Sequence, residues 1–223
     1  VGDLASMASG LDWVEHYTSP FSVTARANYD DDLAETILNQ KVIKTPGVEF
    51  EYLSGSTQLL GMIIKKATGK QLADYLSESF WKPLGAENDA LWQLDDDENK
   101  LAKAFCCISS NAKDFARFGK LYKDHGKWDG KQLLDSAYVA KSIKPRFEKS
   151  PEYGYGWWLK QTNDKNFFMM RGHLGQYVIV EPKDNTIIVR LGHSKGPGDP
   201  IATFTDDISI YIKEGYKMLG YDL

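Results

Sequence analysis

A tyrosine and two serines lie close together where an apolar helical pattern begins. The stretch FEYLSGSTQLLG, residues 50–61, places Tyr52 two residues before Ser54, and the Ser-Gly-Ser turn leads into apolar residues at helical spacing. A tyrosine, whose pKa is ordinarily about 10, can act as a general base only where nearby cations lower that pKa. It usually works with a serine nucleophile and an activating lysine, and a Ser-x-x-Lys sequence puts those two on one helix face.

The same residues also have a structural interpretation. Most tyrosines beside a helix are packing aromatics, and Ser54 or Ser56 can cap the helix that follows by accepting a hydrogen bond from a backbone N–H. Further along the chain, His173 taken alone would more often be structural than catalytic. The residues by themselves therefore leave Tyr52 open between catalysis and packing.

The order of motifs along the chain resembles that of the serine β-lactamase-like hydrolases. Tyr52-Leu53-Ser54 matches the Tyr-x-Asn or Tyr-x-Ser element of class C β-lactamases, family VIII-type esterases and 6-aminohexanoate-dimer hydrolases. His173-Leu174-Gly175 matches their Lys-Thr-Gly or His-x-Gly element. The stretches SGLDW, ATGK…PLG, DFARFGKLY and YGYGWW are also similar, so the resemblance extends over nearly the whole chain.

The resemblance implies both a fold and a reaction. The fold is an α/β fold of the α+β type, like that of β-lactamases and DD-peptidases, with an antiparallel sheet, flanking helices and a helical lobe. The reaction is hydrolysis of an ester, amide or β-lactam bond through an acyl-enzyme, without a metal or an organic cofactor. Because His-x-Gly stands in place of Lys-Thr-Gly, an ester or a small linear amide is the expected substrate. A periplasmic or secreted location is implied by resemblance, with a cytoplasmic one left open.

The resemblance also assigns roles to individual residues. Tyr52 is the expected general acid/base, with Ser54 beside it, and His173 is expected to bind the carboxylate or carbonyl end of the substrate. Gly175 allows close approach of the backbone, and the N–H of Gln176 supplies half of an oxyanion hole. Ser109 is expected to line the pocket.

The nucleophile is the part of the family pattern that this sequence does not match. In the family, Ser-x-x-Lys precedes the region that resembles SMASGLDW, before which this chain has only residues 1–5. Two matches occur elsewhere: Ser79 to Lys82 lies at a helix end before a proline, and Ser110 to Lys113 is better explained as a helix cap. We therefore expect the catalytic serine and lysine in an absent upstream segment, and we expect the 223-residue chain alone to be inactive.

A second hypothesis is a non-catalytic protein that binds peptidoglycan or another ligand on the same fold. A Ser-x-x-Lys helix upstream would favour the enzyme, and its absence from the gene would favour the binding protein. A chain that lacks the first strands of its sheet would expose a strand edge and an apolar groove, so self-association of the truncated chain is expected.

Composition and pattern support this organisation. The sequence predicts a mainly helical lobe over residues 1–150, followed over residues 151–223 by antiparallel strands and a C-terminal helix. The strands QYVIVE and TIIVRLG should form a hairpin through the turn PKDN, residues 182–185. The net charge of −4 without a basic stripe argues against nucleic-acid binding, and no apolar run approaches the ~20 residues that span a bilayer.

Two local expectations concern cysteine and tryptophan pairs. Cys106 and Cys107 are adjacent, and neighbouring cysteines seldom have the geometry for a bridge, so no structural disulfide is expected. Trp157 and Trp158 should point to opposite faces of a strand, one towards the core and the other towards the surface or a cleft.

Overall fold

The computed structural model describes residues 1–17, 19–162, 164–194, 196–197 and 203–221, and it divides the chain into two units, Val1–Ser110 and Asn111–Leu223. The helices are α1 (Gly2–Ala5), α2 (Val23–Tyr29), α3 (Leu33–Leu38), α4 (Ser54–Thr68), α5 (Leu72–Leu76, continued by the π-helical turn Ser77–Trp81), α6 (Ala112–Lys123), α7 (Ser136–Ser142) and α8 (Asp206–Met218). The strands are β1 (Leu91–Trp92), β2 (Ile108–Ser109), β3 (Lys127–Trp128), β4 (Lys131–Gln132), β5 (Trp158–Thr162), β6 (Lys165–Arg171), β7 (Tyr177–Glu181) and β8 (Thr186–Arg190). None of the helices in these described ranges combines the length and the apolarity that a bilayer span requires.

The first unit is built from short helices around one apolar cluster. Helix α3 begins at Asp32, whose carboxylate accepts the Glu35 N–H at 2.8 Å, as the acidic run before it predicts. Helix α4 ends at Gly69, which has the left-handed φ of +69° expected of a C-terminal glycine. The buried cluster that these helices enclose consists of Leu11, Trp13, Ala27, Leu33, Ile37, Leu53 and Leu101.

The second unit contains an antiparallel sheet in the order β5-β6-β7-β8. Glu181 pairs with Thr186 across the turn at residues 182–185, so the predicted hairpin is confirmed. One face, which carries Phe168, Val178 and Val180, packs against α6, where Gly119 leaves room for the Val180 side chain. The other face packs against α8, with Tyr216 on Phe167. Since both faces are covered, every residue of β7 is buried, and the strand is a nearly continuous apolar run.

The tryptophan expectation is wrong in one respect. Trp157 and Trp158 do point to opposite faces, but both are buried, with 4% and 8% of their surface exposed. Trp157 packs between Tyr122 and Phe168, and Trp158 packs against Tyr153. The Trp158 ring is also close to Phe204, so these aromatic side chains cover the side of the strand that was expected to face solvent or a cleft.

The expectation of no disulfide is also wrong, because Cys106 and Cys107 are bonded to each other. Cys107 has a φ of +74°, a left-handed conformation that turns the chain between the two side chains. Hydrogen bonds to neighbouring residues hold this turn. The Trp92 indole N–H donates to the Cys106 carbonyl at 3.1 Å, and the Cys106 N–H donates to the Lys103 carbonyl. The sequence pattern gave no indication of this backbone conformation.

Candidate active site

Tyr52 and Ser54 lie at the first turn of helix α4. The helix begins at Ser54, preceded by Leu53, whose side chain cannot accept a hydrogen bond. The expectation that Ser54 or Ser56 caps the helix is therefore wrong, because both lie inside the first turn and their hydroxyls bond elsewhere. The Ser56 hydroxyl is 2.7 Å from the hydroxyl of Ser9, and both groups are buried.

The carboxylate of Glu15 takes over the capping role from 39 residues away. Its Oε2 accepts the Ser54 backbone N–H at 2.8 Å and the Trp13 indole N–H at 2.9 Å. Its Oε1 accepts the Ser54 hydroxyl and the Tyr17 hydroxyl, each at 2.5 Å. One carboxylate thus satisfies an otherwise unpaired N–H of the helix and places negative charge at its N-terminus, where the helix dipole favours it.

Tyr17 joins this cluster as a neutral phenol. Partial burial raises the pKa of Tyr17, and the hydrogen bond and charge of Glu15 raise it further. Tyr52 also raises this pKa, so the two tyrosines lie within electrostatic reach of each other. At neutral pH Tyr17 keeps its proton and donates it to Glu15.

The segment that carries Glu15 is anchored on both sides. The ring of Trp13 lies against Gly55, where a Cβ atom would come within 2.6 Å of it, so the first turn of α4 needs glycine at this position. Leu11 forms a β-bridge with Val42, and the Thr24 hydroxyl donates to the Val14 carbonyl at 2.8 Å. These contacts hold residues 9–15 against the start of α4.

Ser109, the other predicted site residue of the first unit, is exposed on strand β2 and pairs with Leu91. The chain just before it is tied to α4 by the buried side chain of Gln58. That amide donates to the Ala102 carbonyl at 3.1 Å and accepts the Ala104 N–H at 2.7 Å. The pocket-lining role of Ser109 stays a prediction.

The remaining predicted residues form the tight turn between β6 and β7 in the second unit. The Gly172 N–H donates to the Gln176 carbonyl at 2.7 Å, which closes the turn. His173 is exposed at its tip, and Gly175 is buried with a φ of +83°. The roles given jointly to Tyr52 and this turn stay predictions.

Arg190, on the neighbouring strand β8, braces this turn. Its guanidinium donates to the carbonyl of Gly175 at 2.6 Å and to that of Ser194 at 2.9 Å. The Gln176 side chain donates to the Gly192 carbonyl. In contrast, the Gln176 backbone N–H has no backbone acceptor among the described residues.

Four residues that support these elements were not predicted from the sequence: Glu15, Tyr17, Gln58 and Arg190. One local signal was available: Trp13, Glu15 and Tyr17 alternate, so their side chains share one side of an extended segment. Nothing in the pattern pairs that segment with Ser54, because their contact depends on the tertiary fold.

A comparison with protein-family models matches residues 1–209 to the Beta-lactamase family. The chain belongs to the Beta-lactamase family. A curated member of similar sequence is the 6-aminohexanoate-dimer hydrolase of Paenarthrobacter ureafaciens, 25% identical in an alignment 213 positions long that covers 86% of this chain and 54% of that protein. The chain therefore spans about half the length of this relative.

Solved structures give the same result for the fold. A Bacillus anthracis structure assigned as a 6-aminohexanoate-dimer hydrolase is 26% identical and superposes with a TM-score of 0.78, covering 98% of this chain and 60% of that one. The D-amino acid amidase of Ochrobactrum anthropi SV3, at 18% identity and a TM-score of 0.63, covers 98% of this chain and 70% of that one. These similarities confirm the predicted β-lactamase/DD-peptidase-like fold and the resemblance to this hydrolase family.

Proposed function

We propose that this chain is the larger, C-terminal part of a serine hydrolase that cleaves an ester or amide bond through an acyl-enzyme, with Tyr52 as general acid/base. The observation that carries the proposal is the way in which the segment Tyr52-Leu53-Ser54 is held in place. It lies at the start of α4, and Ser54 is held there by two hydrogen bonds to Glu15. A proton-transferring group must be positioned to within a fraction of an ångström, and this element has the supports for that.

The turn from Gly172 to Gln176 is the proposed binding edge for the substrate. His173 binds the carboxylate or carbonyl end of the substrate, and the Gln176 N–H contributes to an oxyanion hole. Two observations support these roles: the Gln176 N–H has no backbone acceptor among the described residues, and Arg190 holds the adjacent carbonyl of Gly175. Gly175 itself keeps the turn free of a side chain.

The nucleophile of the proposed reaction lies outside these 223 residues. A lysine that activates a serine is normally desolvated, so that it can lose its proton near neutral pH. The lysines of the two Ser-x-x-Lys matches, Lys82 and Lys113, are both exposed. The serine and lysine are therefore assigned to a segment upstream, and self-association of the chain without that segment stays a prediction.

The proposed substrate is a carboxylic ester or a small linear amide. The similarity to 6-aminohexanoate-dimer hydrolases supports this class, as does the His-x-Gly sequence at residues 173–175. No step of this chemistry requires a metal or an organic cofactor.

Replacing Tyr52 tests the proposal in the protein expressed from its complete gene. Tyr52→Phe should reduce turnover of p-nitrophenyl acetate by ~10²–10⁴, the usual contribution of a positioned acid/base, without changing thermal stability by more than a few degrees. Tyr29→Phe, at an exposed tyrosine of the same unit, should leave turnover unchanged.

Three results would contradict parts of this proposal. Full turnover in Tyr52→Phe would make Tyr52 a packing residue. Failure of the wild-type protein to form an acetyl adduct, measured by intact mass, would favour the non-catalytic binding protein instead. Turnover that disappears in Ser79→Ala or Ser110→Ala would overturn the assignment of the nucleophile to an upstream segment.

A further inference from the structure

We infer that Glu15 is the positioning residue of the Tyr52-Leu53-Ser54 element, and that it fixes Ser54 as a hydrogen-bond acceptor for the N–H of an amide substrate. The inference rests on the proposed function and deepens it, because it selects amides from the two substrate classes proposed there. Its basis is the set of hydrogen bonds made by one carboxylate.

The direction of each hydrogen bond to the Glu15 carboxylate is determined by chemistry. An ionised carboxylate has lone pairs and no proton, so it can only accept. The backbone N–H of Ser54 and the indole N–H of Trp13 can only donate, and both point at Oε2 of Glu15. The hydroxyls of Ser54 and Tyr17, which could in general do either, must donate to Oε1.

The consequence for Ser54 is a fixed polarity. Its only hydroxyl proton is committed to Glu15 at 2.5 Å, so the Ser54 oxygen can offer only lone pairs to another group. A substrate group that contacts this oxygen must bring a donor of its own. A secondary amide has an N–H next to its reacting carbonyl, whereas an ester of the same shape has an oxygen there, which would be repelled by the serine lone pairs.

The consequence for Tyr52 is a fixed position. The three residues that follow its neighbour Leu53 are each held by residues 9–15: Ser54 by Glu15, Gly55 by the ring of Trp13, and Ser56 by the hydroxyl of Ser9. Glu15 also receives the N–H of Trp13, so it links two of these three supports. Loss of its carboxylate would loosen the backbone that carries Tyr52.

Glu15→Gln should reverse the hydrogen-bond polarity of the Ser54 hydroxyl and keep the contacts that position the start of α4. The amide oxygen of glutamine can take the place of Oε2, because the N–H groups of Trp13 and Ser54 that point there can only donate. The NH₂ group then replaces Oε1, and the two hydroxyls can rotate to accept from it. Ser54 thereby gains a free proton and becomes a donor towards the substrate. Glu15→Ala, in contrast, removes both carboxylate oxygens and with them all four hydrogen bonds.

The experiment compares an anilide with the phenyl ester of the same acid in the protein expressed from its complete gene. Glu15→Gln should lower the ratio of anilide to ester kcat/KM about tenfold, the size of one hydrogen bond, with little change in melting temperature. Glu15→Ala should reduce kcat for both substrates by about 10², as expected for a misplaced catalytic group. Glu51→Gln is the matched control, because it removes the same charge next to Tyr52, from a surface pair with Lys44, and should change neither value.

A double-mutant cycle separates positioning from general destabilisation. If Glu15 acts through Ser54, Ser54→Ala should lower the same ratio, and Glu15→Gln should have no further effect in its presence, whereas Glu51→Gln should remain additive with it. An unchanged ratio in a folded Glu15→Gln enzyme would overturn the inference. If Tyr52→Phe abolishes turnover in that case, the proposed function survives; if Tyr52→Phe is fully active, the proposed function itself fails.

Discussion

The two units hold their candidate site residues by different means. In the second unit, His173, Gly175 and Gln176 lie on a turn between two strands of a sheet whose faces are both packed with apolar side chains. In the first unit, Tyr52 and Ser54 depend on polar contacts between segments far apart in the chain, such as the partly buried contact of Ser54 with Glu15 and the buried contact of Ser56 with Ser9. The turn in the second unit should therefore be sensitive to substitutions that add side-chain volume. The start of α4 in the first unit should be sensitive to substitutions that remove a single polar group.

The packed turn and the polar contacts lose free energy for different reasons when a residue in them is replaced. A tightly packed turn has no space for an added methyl group, so the backbone must move. A buried polar bridge contributes little when intact, but its unpaired partners each cost about 1–3 kcal/mol when it is removed. Either effect is a substantial fraction of the roughly 5–15 kcal/mol by which a typical domain is stable.

Gly175→Ala should produce the largest effect and tests the packed turn. Residue 175 has a φ of +83°, and a Cβ there would lie 1.8 Å from the Arg190 guanidinium and 2.6 Å from the Ser194 carbonyl. The arginine side chain can move, but the carbonyl belongs to the backbone. We expect a loss of roughly 3 kcal/mol in the free energy of unfolding, measured with urea, from strain plus collision.

Gly156→Ala is the matched control for this substitution. Gly156 has almost the same φ, +82°, but nothing lies within 4 Å of the position its Cβ would take. It should therefore lose only about 1 kcal/mol, the cost of the left-handed conformation alone. Equal losses in the two variants would show that close packing does not restrain the turn.

Gln58→Leu should have a smaller effect and tests the polar bridge of the first unit. The substitution keeps the side chain buried and nearly the same size but leaves the Ala102 carbonyl and the Ala104 N–H without their partner. We expect the free energy of unfolding to fall by about 2 kcal/mol. Gln71→Leu, at an exposed glutamine whose side chain does not cap its helix, should change it by less than about 0.5 kcal/mol. A loss in Gln58→Leu no greater than in this control would contradict the proposed difference between the units.

The same division explains how much could be predicted from the sequence. The hairpin at residues 182–185 was predicted correctly, and the same kind of local rule explains the helix caps Asp32 and Asp135, because each depends on residues within a few positions of one another. The end of α4 at Gly69 follows a local rule too, because glycine readily takes the left-handed conformation at a helix end. Tyr52 and Ser54 could be proposed as site residues from their order with His173-Leu174-Gly175, which required no contact to be known.

The parts that were missed depend on contacts that no local pattern records. Glu15 and Ser54 are 39 residues apart, and their bond exists only once residues 9–15 pack against α4. Helix α2, capped by Ser22, lies in a stretch whose aromatic residues and proline favour a loop. The bond between Cys106 and Cys107 requires a left-handed residue that other parts of the chain hold in place.

Lys103 tests a single buried polar group of the first unit, and the expected effect on stability is the smallest of those considered. Only 3% of its surface is exposed, and its ammonium group donates to the Asn28 carbonyl at 2.7 Å. Burial lowers the pKa of Lys103, an effect that nearby Asp95 partly opposes. Between this lowered pKa and the ordinary value of about 10.4, the unfolded chain binds more protons than the folded one, so the contribution of Lys103 to stability rises with pH.

Lys103→Met should remove this dependence. The wild-type protein should gain stability relative to the variant as the pH rises from 7 to 10, measured as the change in the difference between their free energies of urea unfolding. Lys66→Met, at an exposed lysine of α4, should show a difference from wild type that is the same at both pH values. A pH-independent difference for Lys103→Met as well would mean that the folded protein does not disfavour the charged form of this lysine, and that the first unit tolerates buried charge as readily as its surface does.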